Sequence, residues 1–332
     1  MKVAINGLGR IGRAVIRAIA LSPSNELEIV AINGTSSLET YAQLLKYDSI
    51  HGRFSGSISI ENNSLIVNNQ KINFISQRNP SDIKWSDYGV EVVFECSGKF
   101  NSHDQASLHL LSGVKRVLVS APCENADITI VLGVNHHLLK NSHQIISIGS
   151  CTTNALAPIA KIINDHIGIE NGFMTTIHSY TNDQNILDNS HNDPRRARAC
   201  AMSMIPTSTG AAKAIGLVLP ELSGKLAGSA IRVPTPNVSM IDLCFNAKRD
   251  TSKEEINKII EEASNSYMKD IVGFATEKLV SIDYNHSSYS SVFDPFETNV
   301  IDNKLCRIIS WYDNEWGFSS RMIDVCKNLR SL

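Results

Sequence analysis

The sequence predicts an α/β protein in which a doubly wound parallel sheet is followed by an α+β domain with a mostly antiparallel sheet. Up to about residue 150, short apolar segments rich in β-branched residues alternate with helical patterns, as in a parallel sheet covered on both faces. Beyond that point the strands lengthen and alternate, as in AIRVPTPNVSMIDLCFNAK. We therefore expect domains at 1–150 and 151–314, with a carboxyl-terminal helix over 315–332 that packs back on the first domain.

The first domain begins with a strand over residues 2–6, followed by a helix whose apolar residues recur at helical spacing from Arg10 onward. A second strand ends at Ile32. Further buried strands are expected near residues 90–98, 115–122 and 143–150. In the second domain, a capping box that runs from Thr251 to Glu254 predicts the start of another helix.

Composition excludes several classes of protein. The chain has 332 residues with 31 Lys and Arg against 33 Asp and Glu, so no strong charge draws it toward nucleic acid or an anionic membrane. Its seven scattered cysteines include no Cys-x-x-Cys pair, which fits neither a disulfide framework nor a zinc site. No apolar run approaches the ~20 residues of a membrane span. We expect a cytoplasmic protein without a metal, whose partner is a small molecule.

A glycine-rich turn follows the first strand. Gly7, Gly9 and Gly12 form the pattern G-x-G-x-x-G directly before the first helix. In this setting the glycines permit a tight turn, and backbone N–H groups meet a pyrophosphate at the positive end of the helix. A turn needed only for packing is the alternative, but the strand before it and the helix after it favour a dinucleotide site.

The end of the second strand bears on which dinucleotide is bound. An acidic residue usually stands there to hold the adenosine ribose 2′-hydroxyl, whereas this chain has Gly34 and Thr35 followed by two serines. We expect NADP to be used at least as well as NAD, held through hydroxyl groups without a clear cation, and Gly34→Asp to shift the preference toward NAD. The alternative is that Gly34 is an ordinary loop glycine and that Glu39 supplies the acid.

A candidate nucleophile lies where the strand HQIISIGS gives way to a helical pattern. Cys151 stands at the amino end of that helix, a position that favours the thiolate. His178, in MTTIHSYT, is a candidate base for it. Taken singly, each residue has a structural alternative, as a small buried thiol or a core histidine.

Eight segments together resemble one family. They are INGLGRIGR, LLKYDSIHGRF, SCTTN, TTIHSYTNDQ, RRARA, IPTSTGAAKA, IRVPTPNVS and WYDNEWGF. In this order, and over essentially the whole chain, they resemble the phosphorylating glyceraldehyde-3-phosphate dehydrogenases, most closely the bacterial NADP-linked gluconeogenic type. The resemblance implies a Rossmann-type first domain and a catalytic second domain.

The resemblance also implies a reaction and a set of site residues. Cys151 would attack the aldehyde of glyceraldehyde 3-phosphate and His178 would take the thiol proton; hydride transfer to the nicotinamide would leave a thioester that inorganic phosphate cleaves to 1,3-bisphosphoglycerate. The matching phosphate-binding positions are Ser150, Thr152, Thr181, Arg196, Thr209, Gly210 and Arg232. The matching cofactor-binding positions are Gly7, Gly9, Arg10, Ile11, Gly12, Gly34, Thr35, Arg78, Ser97, Ser120, Ser190 and Asn314.

The loop over residues 179–201 is expected, from the family, to pack at a subunit interface of a homotetramer. Its arginines, Arg195, Arg196 and Arg198, make it too charged to lie free, and Ser190 stands where NADP-using plastid relatives also carry serine. Two alternative functions remain open at this stage. One is an erythrose-4-phosphate dehydrogenase, and the other is a non-catalytic interaction protein built on the same fold.

Overall fold

The computed structural model describes residues 1–24 and 26–332, and it divides into two compact units. Unit 1 comprises Met1–Leu132, His136–Ser150 and Ser319–Leu332. Unit 2 comprises Gly133–Asn135 and Cys151–Phe318. One unit holds a largely parallel sheet and the other a mostly antiparallel sheet, so the predicted fold class is confirmed.

Unit 1 is built on a nine-stranded sheet. The strands of this unit are β1 (Lys2–Asn6), β2 (Glu28–Asn33), β3 (Tyr47–Asp48), β4 (Gly52–Arg53), β5 (Ile58–Glu61), β6 (Ser64–Val67), β7 (Gln70–Ile75), β8 (Val92–Glu95), β9 (Arg116–Val119), β10 (Ile128–Thr129) and β11 (Ile145–Ser147). Its helices are α1 (Arg10–Leu21), α2 (Leu38–Lys46) and α3 (His103–Ala106). The sheet order is β10-β11-β9-β8-β1-β2-β7-β6-β5, while β3 and β4 pair separately.

Most of this sheet is parallel, and the only antiparallel pairings among its described strands are those of β6 with β5 and with β7, at one edge. The central strands are buried on both faces, as the apolar run Val3, Ala4 and Ile5 predicts. All the parallel strands therefore end at the same edge, where their following loops gather. The strand expected over 90–98 is shorter than predicted because the chain turns after Glu95, whose carboxylate accepts hydrogen bonds from Ser97.

Unit 2 holds a seven-stranded sheet with helices packed against it. In chain order its elements are α4 (Cys151–His166), β12 (Ile169–Ser179), β13 (Ile205–Thr207), α5 (Ala211–Val218), β14 (Leu226–Val233), β15 (Ser239–Ala247), α6 (Lys253–Ser264), β16 (Val272–Phe274), β17 (Ser291–Ile301) and β18 (Leu305–Tyr312). The last helix, α7 (Trp316–Asn328), begins in unit 2 and belongs to unit 1 from Ser319 onward. The sheet order is β13-β14-β12-β15-β18-β17-β16. The pairs β12 with β14 and β16 with β17 are parallel, and the others are antiparallel.

The start of α6 corrects one prediction. The capping residue is Ser252, whose hydroxyl oxygen accepts from the Glu255 N–H at 3.2 Å, and not Thr251. Ser252 keeps an extended backbone, so the helix begins at Lys253. Thr251 instead donates its hydroxyl to the Glu255 carboxylate at 2.9 Å. The predicted helix exists, with a start one residue later than its sequence pattern indicates.

Two findings concern the whole described chain. Among residues 1–24 and 26–332, no helix is long and apolar enough to cross a bilayer. All seven cysteines carry free thiols.

Candidate active site

The sheet of unit 2 aligns the residues around the predicted nucleophile. Cys151 is the first residue of α4, and His178 lies near the end of β12. In the parallel pairing of β12 with β14, His178 stands opposite Arg232. The Sγ atom of Cys151 lies 3.5 Å from Nε2 of His178. The structure thus brings the predicted thiol and the predicted base into direct contact.

The orientation of His178 is fixed from its other side. Its Nδ1 atom lies 2.7 Å from the Ser179 carbonyl oxygen and 2.7 Å from Nη1 of Arg232, which also donates to that carbonyl at 2.9 Å. Nδ1 can donate to the Ser179 carbonyl or accept from Arg232, and the tautomer that donates leaves the Nε2 lone pair facing the thiol. The ring also meets the Tyr312 ring edge-on, with centroids 5.9 Å apart. His178 is therefore oriented to accept the proton of Cys151.

Burial sets the resting charges of this pair. It lowers the pKa of His178 to about 3, assisted by the Arg232 cation and opposed by the Ser179 carbonyl, so the imidazole is neutral at neutral pH. Burial also raises the pKa of the Cys151 thiol, although Arg232 and hydrogen bonds at the start of α4 act the other way. The hydrogen bonds at the start of α4 favour the thiolate, as the sequence predicts, but burial has the larger effect on the pKa of Cys151. A protonated thiol beside a neutral imidazole is the resting state.

A tyrosine that sequence reasoning missed holds the residue after the nucleophile. The Tyr312 hydroxyl lies 2.9 Å from Thr152 Oγ1 and 2.8 Å from Thr176 Oγ1. Burial raises the pKa of Tyr312, so its phenol stays neutral. Tyr312 lies in the block WYDNEWGF, but no spacing could reveal its role because 160 residues separate it from Thr152.

The two predicted phosphate-binding arginines, Arg232 and Arg196, differ in whether their guanidinium N–H groups already have hydrogen-bond partners. The Nε atom of Arg232 is buried without a hydrogen-bond partner, whereas Arg196 donates from Nε to Thr207 and forms an ion pair with Asp183. An unpartnered buried guanidinium nitrogen suits an anionic ligand. Arg196 is committed to its own loop, although its charge lowers the pKa of Arg232, whose largest perturbation is burial. Arg232 thus keeps a donor for an anionic ligand, whereas Nε and Nη1 of Arg196 are already used.

The remaining predicted phosphate positions occupy turns and helix starts. Thr209 accepts from the Ala211 N–H at 3.2 Å, and Gly210 presents exposed backbone at the amino end of α5 with open space where a side chain would be. Such helix ends bind anions. Thr181, in the turn after β12, shares hydrogen bonds with Gln184. Ser150 is half-buried and directly precedes Cys151.

The side-chain amide of Asn314 is held by hydrogen bonds to its oxygen. Its Oδ1 atom accepts from the hydroxyls of Ser179 and Ser239, each at 2.9 Å. This arrangement fixes the orientation of the amide and leaves the Nδ2 nitrogen to donate elsewhere. Such a fixed donor suits a carboxamide oxygen of a ligand. Ser190, the other cofactor position predicted in unit 2, lies exposed in the loop over 179–201.

Unit 1 contains a cleft of about 230 Å³ at the carboxyl ends of its central strands. The predicted cofactor residues that line it are Gly7, Gly9, Thr35, Arg78 and Ser97. Gly12, Gly34, Arg10, Ile11 and Ser120 are not among its lining residues. Arg10 forms an ion pair with Asp48. The cleft lies where parallel α/β sheets bind dinucleotides.

The three glycines of the first turn have the roles that a dinucleotide site requires. Gly7 has φ +96° and packs so closely on Ser97 that a Cβ atom would lie 2.5 Å from its backbone. A Cβ atom on Gly12 would clash with the Gly7 carbonyl oxygen. At Gly9 a Cβ atom would meet nothing within 4 Å, so its backbone is open to a ligand. The residues present therefore fit NAD or NADP.

The structure corrects the expectation that no cation stands near the second strand. Arg78 and Lys99 both line the cleft together with Thr35, whereas Glu39, the alternative acid, does not. Arg78 follows β7, a parallel neighbour of β2, and the backbone N–H and C=O of Gln77 are both hydrogen-bonded to the Asn33 side chain. Neighbouring parallel strands bring their loops to one edge of the sheet, so Arg78 lies near the end of β2 although the two are far apart in the sequence.

A buried carboxylate that sequence reasoning missed supports the cleft from behind. Glu95 accepts hydrogen bonds from the Ser97 backbone and hydroxyl, from the Asn6 amide and from His109. His109 in turn accepts from the Trp85 indole at 3.0 Å, which fixes its tautomer. These contacts fix the backbone on which Gly7 packs.

A dinucleotide cleft in unit 1 and an oriented thiol and imidazole in unit 2 define an NAD(P)-dependent dehydrogenase. The model of the glyceraldehyde 3-phosphate dehydrogenase NAD binding domain matches residues 1–103, and that of the C-terminal domain matches residues 150–314. Similar proteins named glyceraldehyde-3-phosphate dehydrogenase include that of Xanthobacter flavus, 56% identical over 98% of this chain and 97% of its own. That of Cereibacter sphaeroides is 54% identical over the same shares, and that of Geobacillus stearothermophilus is 49% identical over 100% and 98%. The chain belongs to the glyceraldehyde-3-phosphate dehydrogenase family.

Proposed function

We propose that the protein is a cytoplasmic phosphorylating glyceraldehyde-3-phosphate dehydrogenase. It interconverts glyceraldehyde 3-phosphate, inorganic phosphate and NAD(P)⁺ with 1,3-bisphosphoglycerate and NAD(P)H through a thioester on Cys151. The observation that carries this proposal is the 3.5 Å contact of Cys151 Sγ with His178 Nε2, beside the unpartnered Nε of Arg232. The names of its relatives support the substrate.

The chain's own residues perform the covalent steps. His178 Nε2 accepts the Cys151 proton as the sulfur bonds to the aldehyde carbon, and the imidazolium then stabilises the alkoxide oxygen. The cofactor, when bound, would supply the hydride acceptor for the carbon attached to Cys151, and the Asn314 amide would hold its carboxamide. Loss of the hydride converts the alkoxide to the thioester carbonyl, and His178 keeps the proton that it took from Cys151. Cys151 leaves as a thiolate when phosphate attacks, and regains its proton through His178.

Two groups of residues hold the two phosphates. Arg232 and Thr181 hold the phosphate of the substrate, where a guanidinium can bind two oxygens at once. The residues for the attacking phosphate are Ser150, Thr152, Thr209 and Gly210. Arg196 positions the loop beside Arg232, because its own donors already bind Asp183 and Thr207.

The cofactor preference is NADP at least equal to NAD, as in the NADP-linked gluconeogenic type. The cleft is lined by Arg78 and Lys99 and by no carboxylate of the described chain. Both cations attract a ribose 2′-phosphate, and nothing there repels one. Ser190 adds a hydroxyl from a neighbouring subunit.

Steady-state kinetics with NAD⁺ and NADP⁺ side by side, with and without phosphate, test this function. We expect sustained turnover of glyceraldehyde 3-phosphate only with phosphate present, and a kcat/KM for NADP⁺ at least equal to that for NAD⁺. Erythrose 4-phosphate should be the poorer substrate. Phosphate-independent turnover would contradict the phosphorylating assignment, and a far higher kcat/KM with NAD⁺ would contradict the cofactor assignment.

Arg232→Ala should raise the KM for glyceraldehyde 3-phosphate by roughly 10- to 100-fold, because a charge-assisted pair with the substrate phosphate is lost. Glyceraldehyde without a phosphate should be affected much less. Arg249→Ala is the matched control, since Arg249 is exposed and pairs with Glu255 outside the site. Equal losses for the two aldehydes would mean that Arg232 acts only by holding His178.

We propose that the protein is a homotetramer, with the loop over 179–201 at an interface. The sequence suggested that its arginines make this loop too charged to lie free. That argument does not hold, because Arg196 and Arg198 form ion pairs with aspartates of the same loop. The exposed side chains beside them are apolar instead: Ile186 is 77% exposed, Leu187 74%, Met202 84% and Met204 76%. Apolar side chains this exposed favour burial against another chain.

Light scattering after size-exclusion chromatography should give the mass of four chains at micromolar concentration. Ile186→Glu with Leu187→Glu should shift the population to smaller species, because two charges would be buried in the interface. Leu111→Glu is the matched control, since Leu111 is 73% exposed in unit 1. A stable wild-type monomer would overturn the assembly, and unchanged assembly of the double variant would exclude this loop.

A further inference from the structure

The phenol of Tyr41 fills the space where residue 34 would carry a side chain. A Cβ atom built on Gly34 would lie 2.5 Å from Cε2 of Tyr41 and 2.8 Å from its Cζ and hydroxyl oxygen. Any larger residue at this position would therefore have to displace the neighbouring ring. The Tyr41 hydroxyl stands at the turn after β2, where dinucleotide-binding proteins usually place the side chain that reads the ribose 2′ position.

Local contacts fix the Tyr41 ring in this position. Tyr41 lies in the first turns of α2, which Ser37 caps by accepting from the Thr40 N–H. The Tyr41 hydroxyl oxygen accepts from the Ser36 N–H at 3.0 Å, and the ring lies 6.2 Å from the Phe74 ring between centroids. A phenol that accepts one hydrogen bond still has its own proton to donate. That proton has no acceptor within the described residues.

The surroundings of the Tyr41 hydroxyl favour a negatively charged acceptor. Tyr41 lines the same cleft as Thr35, Arg78 and Lys99. Neither Arg78 nor Lys99 forms an ion pair with any described side chain, and the lining includes no Asp or Glu. The two cations favour an anion in this cleft, and a hydrogen bond from a neutral donor is stronger when its acceptor is an anion.

We propose that Tyr41 is a specificity-determining residue that donates its hydroxyl proton to the 2′-phosphate of NADP. Its neutral hydroxyl takes the place of a carboxylate that would repel this phosphate. Because Gly34 has no side chain, there is room for the Tyr41 ring. This inference rests on the NADP use proposed above and names a residue that reads it. Toward the 2′-hydroxyl of NAD the phenol offers only a neutral hydrogen bond, so its contribution to NAD binding is small.

The test is the dissociation constants of NADP⁺ and NAD⁺, measured by titration calorimetry on the full chain. Tyr41→Phe keeps the ring and removes only the hydroxyl, so we expect NADP⁺ to bind about tenfold more weakly and NAD⁺ to change less than about twofold. Tyr88→Phe is the matched control, since Tyr88 is a half-buried tyrosine of the same unit that does not line the cleft. It should leave both constants unchanged.

Gly34→Ala provides an independent arm because its methyl group must displace the Tyr41 ring. It should weaken NADP⁺ binding in the wild type and have little effect in a Tyr41→Ala background. Gly34→Ala in these two backgrounds is a cleaner test than Gly34→Asp, because an aspartate would change the charge and displace the ring at the same time. Thermal unfolding midpoints of all variants establish that each one is folded.

The outcomes separate this inference from the proposal on which it rests. If wild type binds NADP⁺ at least as well as NAD⁺ but Tyr41→Phe changes both constants equally or neither, the role of Tyr41 is wrong and the proposed function stands. If Gly34→Ala weakens NADP⁺ binding equally in both backgrounds, Gly34 does not act through Tyr41. If wild type strongly prefers NAD⁺, the cofactor proposal fails and this inference fails with it.

Discussion

Cys151→Ser is expected to lower kcat by roughly 10⁴-fold or more, which is the scale on which enzymes lose a covalent nucleophile. A serine hydroxyl ionises far less readily than a thiol, so the bond to the aldehyde carbon does not form. The cleft for the dinucleotide lies in unit 1, and NADP⁺ affinity should therefore be unchanged. Stopped assays of NADPH formation and cofactor titration measure the two effects.

Cys123→Ser is the matched control for that variant. Cys123 is a half-buried thiol of unit 1 that donates to the Glu124 carbonyl, and its replacement should leave turnover within about twofold. Iodoacetamide should inactivate the wild type by labelling Cys151, and glyceraldehyde 3-phosphate should protect that thiol. Near-normal activity of Cys151→Ser, or labelling unaffected by substrate, would remove Cys151 from the mechanism.

His178→Asn should lower kcat by roughly 10²- to 10⁴-fold while the KM for glyceraldehyde 3-phosphate changes little, as expected for loss of a general base. The reason is specific to this site. Because burial raises the pKa of the Cys151 thiol, the nucleophile rests protonated and depends on the neutral imidazole to remove its proton. Initial rates over a range of substrate concentrations separate the two constants.

A pH series sharpens the test of His178. Without the imidazole, solvent hydroxide must ionise Cys151, so the alkylation rate of His178→Asn should rise steeply with pH and lie below wild type at neutral pH. His137→Asn is the control, since His137 is exposed in unit 1 and outside the site. If His178→Asn alkylates at the wild-type rate at neutral pH, the thiol does not transfer its proton to this residue.

Local patterns predicted the parts of the site that are local in sequence. Gly7, Gly9 and Gly12 lie within one turn, and the structure gives each the geometry that a dinucleotide turn requires. The pairing of Cys151 with His178 came from the resemblance to a family and from helix and strand ends, because no spacing along the chain measures a distance across a fold.

Contacts between distant segments could not be predicted in this way. Arg78 enters the cleft because β7 is a parallel neighbour of β2, and Tyr312 reaches Thr152 across 160 residues. Tyr41 lies close to Gly34 in sequence, yet only the packed helix α2 turns its ring into the space of the missing side chain. The resting charge of Cys151 also depended on burial, a property of the folded chain.

Intact-mass spectrometry tests the central claim most directly. The protein is mixed with glyceraldehyde 3-phosphate and excess NADP⁺ in the absence of inorganic phosphate, and then phosphate is added. We predict that each chain acquires a single phosphoglyceryl group, that peptide mapping places it on Cys151, and that phosphate discharges it. An unmodified chain under conditions that produce NADPH, an adduct on another residue, or an adduct that phosphate does not remove would contradict a Cys151 thioester.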